Sequence, residues 1–364
     1  MAVTRNILLY PVSLLYGLIT GIRNFLYDYG ILSSISFPVP IICVGNLTVG
    51  GTGKTPHTEY LLSLLEKDFK VAVLSRGYKR ETSDFRIATT ASDVSEIGDE
   101  PLQIFRKFPD VLVAVDRRRV SGVRRIMELA PETDIIILDD GFQHRSITPG
   151  LSIILSDYER PCTRDYMLPF GNLREGKSNM RRADIILITK CPKNLNAIQR
   201  RLTVKEVGKA AYQNLFFTSL SYKAPLSVFP GLKIEMTRLD LARSAGSSVV
   251  LITGIANPKP LKEYLLKFFS EITELSYPDH YSFREKDIDA IALAFYNLNT
   301  ASKYLITTEK DAVRLREFTN LEEPLRSALY YIPVGIHFLN EDKEEFDKLV
   351  IDYVRKNKRN HRIS

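Results

Sequence analysis

The run Thr48-Val49-Gly50-Gly51-Thr52-Gly53-Lys54-Thr55 has the residue types of a phosphate-binding loop. Its glycines let main-chain N–H groups approach a polyphosphate with no Cβ in the way, and a helix opening at the end of the loop adds its N-terminal dipole. In that setting Lys54 would reach the β- and γ-phosphates as a point charge. Thr55 would offer a hydroxyl to Mg²⁺. The match departs from the usual GxxxxGK[ST] pattern at Thr48, which stands where the first glycine is expected. A second feature is Ile135-Ile136-Ile137-Leu138-Asp139-Asp140. A carboxylate at the C-terminal end of a buried strand, facing such a loop, can hold Mg²⁺ directly or through water. The two features together predict a nucleoside-triphosphate enzyme that uses Mg²⁺.

Kinases, switch GTPases and ATPases share these parts. A guanine-reading Asn-Lys-x-Asp has its nearest counterpart in Thr189-Lys190-Cys191-Pro192, which lacks the Asp. A nucleotide switch or metallochaperone NTPase is therefore the alternative rather than the main reading. A kinase acting on a hydroxyl needs a base near the γ-phosphate that the metal does not consume. Asp99, in Gly98-Asp99-Glu100-Pro101, is a candidate; an exposed acidic turn is the other reading of that string. His280, in Tyr277-Pro278-Asp279-His280-Tyr281, reads as a turn residue of a second domain.

These residues need strands and helices to position them. Ile41-Ile42-Cys43-Val44 enters the glycine-rich loop as a buried strand, and helical spacing follows from His57 to Leu65. Further apolar runs predict strands at 71–74, 111–115, 135–138, 152–155 and 185–188, with a helix over 117–130 carrying basic residues on its outer side. Residues 80–97 read as a loop with a short element. Continuous apolar strands alternating with helices predict an α/β fold, with a mostly parallel sheet covered by helices on both faces, as in P-loop NTPases. After Pro225, Pro230 and Gly231 a second cycle begins, with strands at 249–252 and 304–307 and a helix across 259–269.

The 364 residues carry 50 Lys+Arg against 43 Asp+Glu, a net charge of +7, with 45% hydrophobic residues. That balance excludes a disordered chain and a polytopic membrane protein. Cys43, Cys162 and Cys191 are odd in number and widely spaced, so no disulfide framework or zinc site is expected. The basic excess allows nucleic acid, an anionic membrane surface or a phosphorylated substrate. Part of it lies in Val354–Ser364, which has five Lys/Arg and no acid and reads either as a frayed end or as a group for anionic headgroups. At the other end, seventeen residues between Arg5 and Arg23 are uncharged. They are marginal for a spanning helix. They predict either a helix packed on the core or an in-plane anchor with Tyr10, Tyr16, Arg23 and Tyr27 at headgroup level.

Several strings resemble one family closely. Val44-Gly45-Asn46-Leu47 running into Gly50 to Pro56 is similar to the tetraacyldisaccharide 4'-kinases, the lipid A 4'-kinases. So are Leu74 to Tyr78, Gly98 to Pro101, Asp139-Asp140-Gly141-Phe142-Gln143-His144 and Leu168 to Glu175. Pro278-Asp279-His280 and Thr308 to Val313 complete the series, in the family's order. The Thr48 departure is itself family-like. The resemblance implies ATP-dependent phosphorylation of the 4'-hydroxyl of a tetraacylated glucosamine disaccharide 1-phosphate, at the cytoplasmic face of the inner membrane. The protein would be peripheral or held there by a single helix, and no nucleic-acid partner is expected. It implies Asp99 as base with His280 as its dyad partner, and Lys54 and Arg174 as groups that stabilise charge on the transferring phosphoryl. Thr55, Asp139 and Asp140 would serve Mg²⁺. Glu100, Arg117 and Arg118 would support the site or meet a substrate phosphate. Phe142, Gln143 and His144 lie beside the cleft without an assigned role.

The organisation expected from both lines of reading is an N-terminal apolar, membrane-associating helix over 1–34 and a P-loop kinase domain over 35–222. A linker over 223–232, a smaller C-terminal α/β domain over 233–350 and a basic tail over 351–364 follow.

Overall fold

A computed structural model describes residues 6–229, 246–300 and 302–361, the last three by main chain alone. The chain forms two compact units. Met1–Leu220 and Ile336–Ser364 make the first, and Ser221–Gly335 the second. The boundary therefore differs from the expected one at the C-terminal end: residues 336–350 return to the first unit. Residues 230–232 of the expected linker lie outside the described residues.

The first unit opens with helix α1 (Tyr10–Asp28). Strand β1 (Ile41–Asn46), helix α2 (Lys54–Leu65), β2 (Val71–Ser75), β3 (Arg86–Ile87), α3 (Val94–Ile97), α4 (Asp99–Lys107), β4 (Leu112–Val115), α5 (Arg119–Leu129) and β5 (Ile135–Asp139) follow. Then come β6 (Leu151–Asp157), β7 (Ile185–Thr189), α6 (Ala197–Val207) and β8 (Asn214–Tyr222). The second unit holds β9 (Leu226–Ser227), β10 (Ser248–Thr253), α7 (Lys259–Leu265), β11 (Glu271–Ser276), α8 (Glu285–Tyr296), β12 (Lys303–Thr308), α9 (Glu309–Leu315), α10 (Glu323–Ala328) and β13 (Leu329–Ile332). Strand β14 (Val334–Phe338) and helix α11 (Asp342–His361) end the chain.

The large sheet runs β14-β8-β7-β6-β1-β5-β2-β4-β3, and the smaller one β11-β10-β12-β13-β9. From β4 through β2, β5, β1, β6 and β7 to β8 every pairing is parallel. Strands β1, β5, β6 and β7 are buried along their whole length. This is what unbroken apolar runs such as Ile135 to Leu138 require, since helices must cover both faces. Ile136 and Leu138 pack with Val123 and Ile126 of α5; Ile154, Ile186 and Ile188 pack with Leu173 and Met180. Cys43, Cys162 and Cys191 are free, buried thiols.

Three local features depart from the sequence expectation. Arg124 and Arg125 of α5 do face solvent, but Arg119 turns inward and is only 1% exposed. The helix expected over 259–269 stops at Leu265. The basic tail is not frayed over the described residues: it is the end of α11, where Phe346, Val350 and Val354 recur every four residues and are buried. The Tyr353 hydroxyl lies 3.1 Å from both the main-chain N–H and the carbonyl of Ile41, donating to the carbonyl, and Lys358 pairs with Asp134 at 2.8 Å. Ile41 starts β1 and Asp134 precedes β5. Lys358 therefore sits at the N-terminal edge of the strands, opposite the edge that leads into the glycine-rich loop.

The N-terminal helix is amphipathic with its polar side inward. Leu14, Leu15, Leu18, Ile19, Ile22 and Phe25 are more than half exposed, while Ser13 and Asn24 are buried. It is not a core helix. Tyr16 and Arg23, expected at headgroup level, instead hydrogen-bond to the α/β unit.

Candidate active site

The glycine-rich loop joins β1 to α2 at the C-terminal edge of the large sheet. Gly50 and Gly53 have φ of +97° and +89°, a region L side chains avoid, and Gly53 caps α2 directly before Lys54. The loop is braced by polar groups. Asn46 is fully buried and donates to the Thr52 hydroxyl at 2.8 Å, and the Thr189 hydroxyl donates to the Thr52 carbonyl at 2.8 Å. Lys190 bonds the Gly51 carbonyl and pairs with Asp157 at 2.8 Å. The Thr189-Lys190 string, the nearest counterpart of a guanine-reading motif, supports the loop. Thr48 pairs with Leu173, and the Val49 N–H donates to the Asn172 carbonyl at 2.8 Å, which ties the loop to the segment carrying Arg174.

Asp139 ends β5 beside β1 and is 1% exposed. Its carboxylate accepts from the Thr58 hydroxyl at 3.1 Å. Burial, and after it the charges of Glu100 and Asp140, push this carboxyl up to about 7. Asp140 has φ +49° and its side chain is 29% exposed. Arg174 Nη1 contacts both its oxygens, at 3.0 and 3.1 Å, and Lys54 Nζ lies 3.5 Å away. Burial would raise Asp140, but Lys54 and Arg174 outweigh it and hold the carboxyl below its usual range. Lys54, Asp140 and Arg174 are thus one contact cluster at the mouth of the loop.

Asp99 is the first residue of α4 and is 2% exposed, so the exposed-turn reading of its string does not hold. It follows Gly98, whose φ is +89° and whose Cα would place a Cβ 3.1 Å from the Tyr78 carbonyl; this seats the α4 start against the turn after β2. Glu100 is half-buried and near enough to raise Asp139. Arg117 and Arg118 follow β4 at the same strand edge and are exposed. His280 belongs to the second unit, with φ +58°; its Nε2 lies 2.9 Å from Lys310 Nζ and its Nδ1 3.4 Å from Arg314 Nη2.

Sequence reasoning set Gln143 beside the cleft without a role, and it missed Arg119 and His57. Gln143 donates to the Asn46 carbonyl at 2.7 Å and accepts from Arg174 at 3.2 Å. Arg119 passes beneath the site and donates to the Asp116 and Asp139 carbonyls. Burial pulls the Arg119 guanidinium down to about 10 against the opposing pull of Asp139 and Asp140. His57 is buried, with Nδ1 2.7 Å from the Gly53 carbonyl and Nε2 2.9 Å from the Thr218 hydroxyl; burial pushes it down to about 4. Only the DDGFQH string hinted at Gln143. Arg119 and His57 carry no local signal, because beyond their near partners Asp116 and Gly53 they are fixed by Asp139 and Thr218, which are distant in sequence.

The donor set fits Mg²⁺. Among the described residues no group of three or more His, Cys, Asp and Glu side chains forms a protein-only metal cage. Mg²⁺ is ordinarily held by one or two carboxylates with phosphate oxygens and water. Thr55, Asp139 and Asp140 would supply such oxygens, and the Glu100 and Asp140 charges that add to burial in raising Asp139 are what a divalent cation would offset.

A family model described as tetraacyldisaccharide-1-P 4'-kinase matches residues 5–355. A protein of Bacteroides thetaiotaomicron named tetraacyldisaccharide 4'-kinase is 43% identical over 98% of this chain and 95% of its own length. One of Parabacteroides distasonis with the same name is 44% identical over 98% and 97%. The crystal structure titled as an "apo" form of LpxK from Aquifex aeolicus in complex with ATP superposes with a TM-score of 0.71 at 28% identity, covering 95% of this chain and 98% of that one. The match runs through the loop, the carboxylate pair and the Arg174 segment alike, and so this chain belongs to the tetraacyldisaccharide-1-P 4'-kinase family.

Proposed function

We propose that this protein transfers the γ-phosphoryl group of ATP to the 4'-hydroxyl of a tetraacylated glucosamine disaccharide 1-phosphate, giving the bis-phosphorylated lipid A precursor. The observation that carries the reading is the contact cluster of Lys54, Asp140 and Arg174 at the mouth of the glycine-rich loop. Phosphoryl transfer needs positioning and charge stabilisation more than covalent chemistry, and two cations poised on one carboxylate supply it.

In this reading the residues from Thr48 to Thr55 cradle the triphosphate. Asp99 accepts the proton of the 4'-hydroxyl as its oxygen bonds to the γ-phosphorus and the bond to the β-phosphate oxygen breaks. His280 supports Asp99. Lys54 and Arg174 meet the charge that develops on the transferring group. Thr55, Asp139 and Asp140 would hold Mg²⁺, which neutralises phosphate charge when bound. Glu100, Arg117 and Arg118 line the acceptor side, where exposed guanidinium groups suit the substrate's 1-phosphate.

The helix Ile7–Asp28 is long and apolar enough to cross a membrane. Its polar side, however, is hydrogen-bonded to the α/β unit from Ser13 to Asp28. A spanning pose would drag that unit into the hydrocarbon. We therefore infer an interfacial helix whose outer apolar face enters the cytoplasmic leaflet, where an acylated substrate resides. The test is transfer of label from γ-labelled ATP to the acylated disaccharide 1-phosphate. Wild type should label the lipid, and Lys54→Ala should not. GTP hydrolysis with no labelled lipid would instead favour a nucleotide switch.

A further inference from the structure

The polar side of α1 is built from Ser13, Tyr16, Thr20, Arg23, Asn24 and Tyr27, three or four residues apart and so on one face. A membrane anchor alone needs no such seam, because any apolar packing would hold the helix. The seam's partners are selective. Ser13 donates to the Met167 carbonyl at 2.6 Å, and Asn24 donates to Asn179 at 3.2 Å. Both partners belong to the segment that carries Arg174. The Tyr16 hydroxyl donates to the Arg174 carbonyl at 3.1 Å, and Arg23 Nη2 donates to the Gln143 carbonyl at 2.9 Å.

Arg174 and Gln143 are the residues whose side chains meet at the carboxylate. Arg174 Nη1 contacts Asp140 and Gln143 together, and Gln143 reaches back to Asn46 below the glycine-rich loop. The main chain of Arg174 is pinned from two sides. Its N–H donates to the Leu47 carbonyl at 2.7 Å, and its carbonyl accepts from Tyr16. One of the two pins comes from the loop and the other from the membrane-facing helix. Behind them Glu175 is 1% exposed, paired with Arg182 and 4.0 Å from Arg23, so the segment has a buried ionic footing on the same helix.

We propose that Tyr16 and Arg23 are positioning residues for phosphoryl transfer, fixing Arg174 and Gln143 through their main-chain carbonyls, so that seating of the N-terminal helix and assembly of the phosphate site are one event. The inference rests on the kinase reading above. It assigns the inner face of α1 to turnover and leaves membrane contact to the outer face.

The experiment uses the full chain as Tyr16→Phe, Arg23→Gln, their double variant and Arg23→Lys. Turnover is measured in mixed micelles with acylated disaccharide 1-phosphate, and partition on vesicles of anionic phospholipid. Tyr16→Phe removes one oxygen, and a lost hydrogen bond at a positioned group should lower kcat about fivefold, and about tenfold or more in the double variant. The lipid KM and vesicle partition should stay within about twofold, and Arg23→Lys should recover part of kcat. Wild-type kcat in the double variant would overturn the proposal, as would lost partition with kcat retained. Amide exchange gives a readout independent of turnover: residues 172–175 should exchange faster in Tyr16→Phe. Unchanged exchange there would overturn the positioning role even if the wild type labelled no lipid, a result that would count against the kinase reading instead.

Discussion

The strand-end site and the N-terminal helix both turn polar groups toward protein, and they do so to different ends. At the site, Asp139 and Asp99 are buried where β5 ends and α4 begins, and Lys54, Arg174 and Arg119, gathered from elsewhere in the chain, offset the charge of Asp139 and Asp140. Removing one partner leaves a buried charge uncompensated, which is the costly case. On α1 the polar groups are mostly neutral donors to main-chain carbonyls, while the apolar residues face out. The first arrangement concentrates charge for chemistry. The second turns polarity to docking and leaves an apolar face exposed. Inner-face polarity therefore belongs with the site, although the outer face of the same helix is apolar.

The sharpest way to break this comparison is at the base. Asp99→Ala should lower kcat by about 10²–10⁴-fold while leaving vesicle partition unchanged, since a positioned base contributes that much. Near-normal kcat would remove Asp99 from the chemistry. Next is His57, which braces the loop while neutral. Its folded-state value lies below the unfolded one, so the unfolded chain binds more protons between about pH 6.5 and 4. Stability should fall as pH drops through that window, by about 3 kcal/mol at most. Thermal or urea unfolding of wild type and His57→Gln at pH 7.5 and 4.5 checks it; equal pH slopes in both would contradict the burial account. Third, Asp139→Asn with Asp140→Asn should shift the Mg²⁺ requirement upward by about tenfold or more, read from a Mg²⁺ titration of turnover. An unchanged titration would detach both residues from the metal. The smallest effect belongs to the outer face of α1. Leu18→Ser with Ile19→Ser should weaken vesicle partition and raise the lipid KM by about tenfold or less. Loss of kcat alone would merge the two regions that the structure separates.

Much of the site was legible because its parts are contiguous strings. Gly50 to Thr55 and Asp139-Asp140 announce themselves by residue type, and unbroken apolar runs identify the parallel strands. What stayed hidden depends on pairing across the chain. Arg119 resembles Arg117 and Arg118 in sequence, yet it alone turns under the sheet edge, because the first turn of α5 faces the core. The inward polarity of α1 was equally hidden. Periodicity marks an apolar face, but it does not say which side of the helix meets protein. The basic run after Val354 looked like a free tail, since Phe346, Val350 and Val354 are too sparse to signal packing against the sheet.

The charge excess divides along the same lines. Arg174, Arg117 and Arg118 stand at the C-terminal edge of the strands with the phosphate loop, whereas Lys358 pairs with Asp134 at the opposite edge. Net charge therefore does not mark one phosphate-binding surface.

The most direct test of the central claim is single-turnover transfer of label from γ-labelled ATP to tetraacyldisaccharide 1-phosphate by wild type and Lys54→Ala in the same micelles. Label on the 4'-position with wild type, and none above background with Lys54→Ala, is the predicted result. Equal labelling by the two proteins would contradict the assignment of this strand edge as the phosphoryl-transfer site.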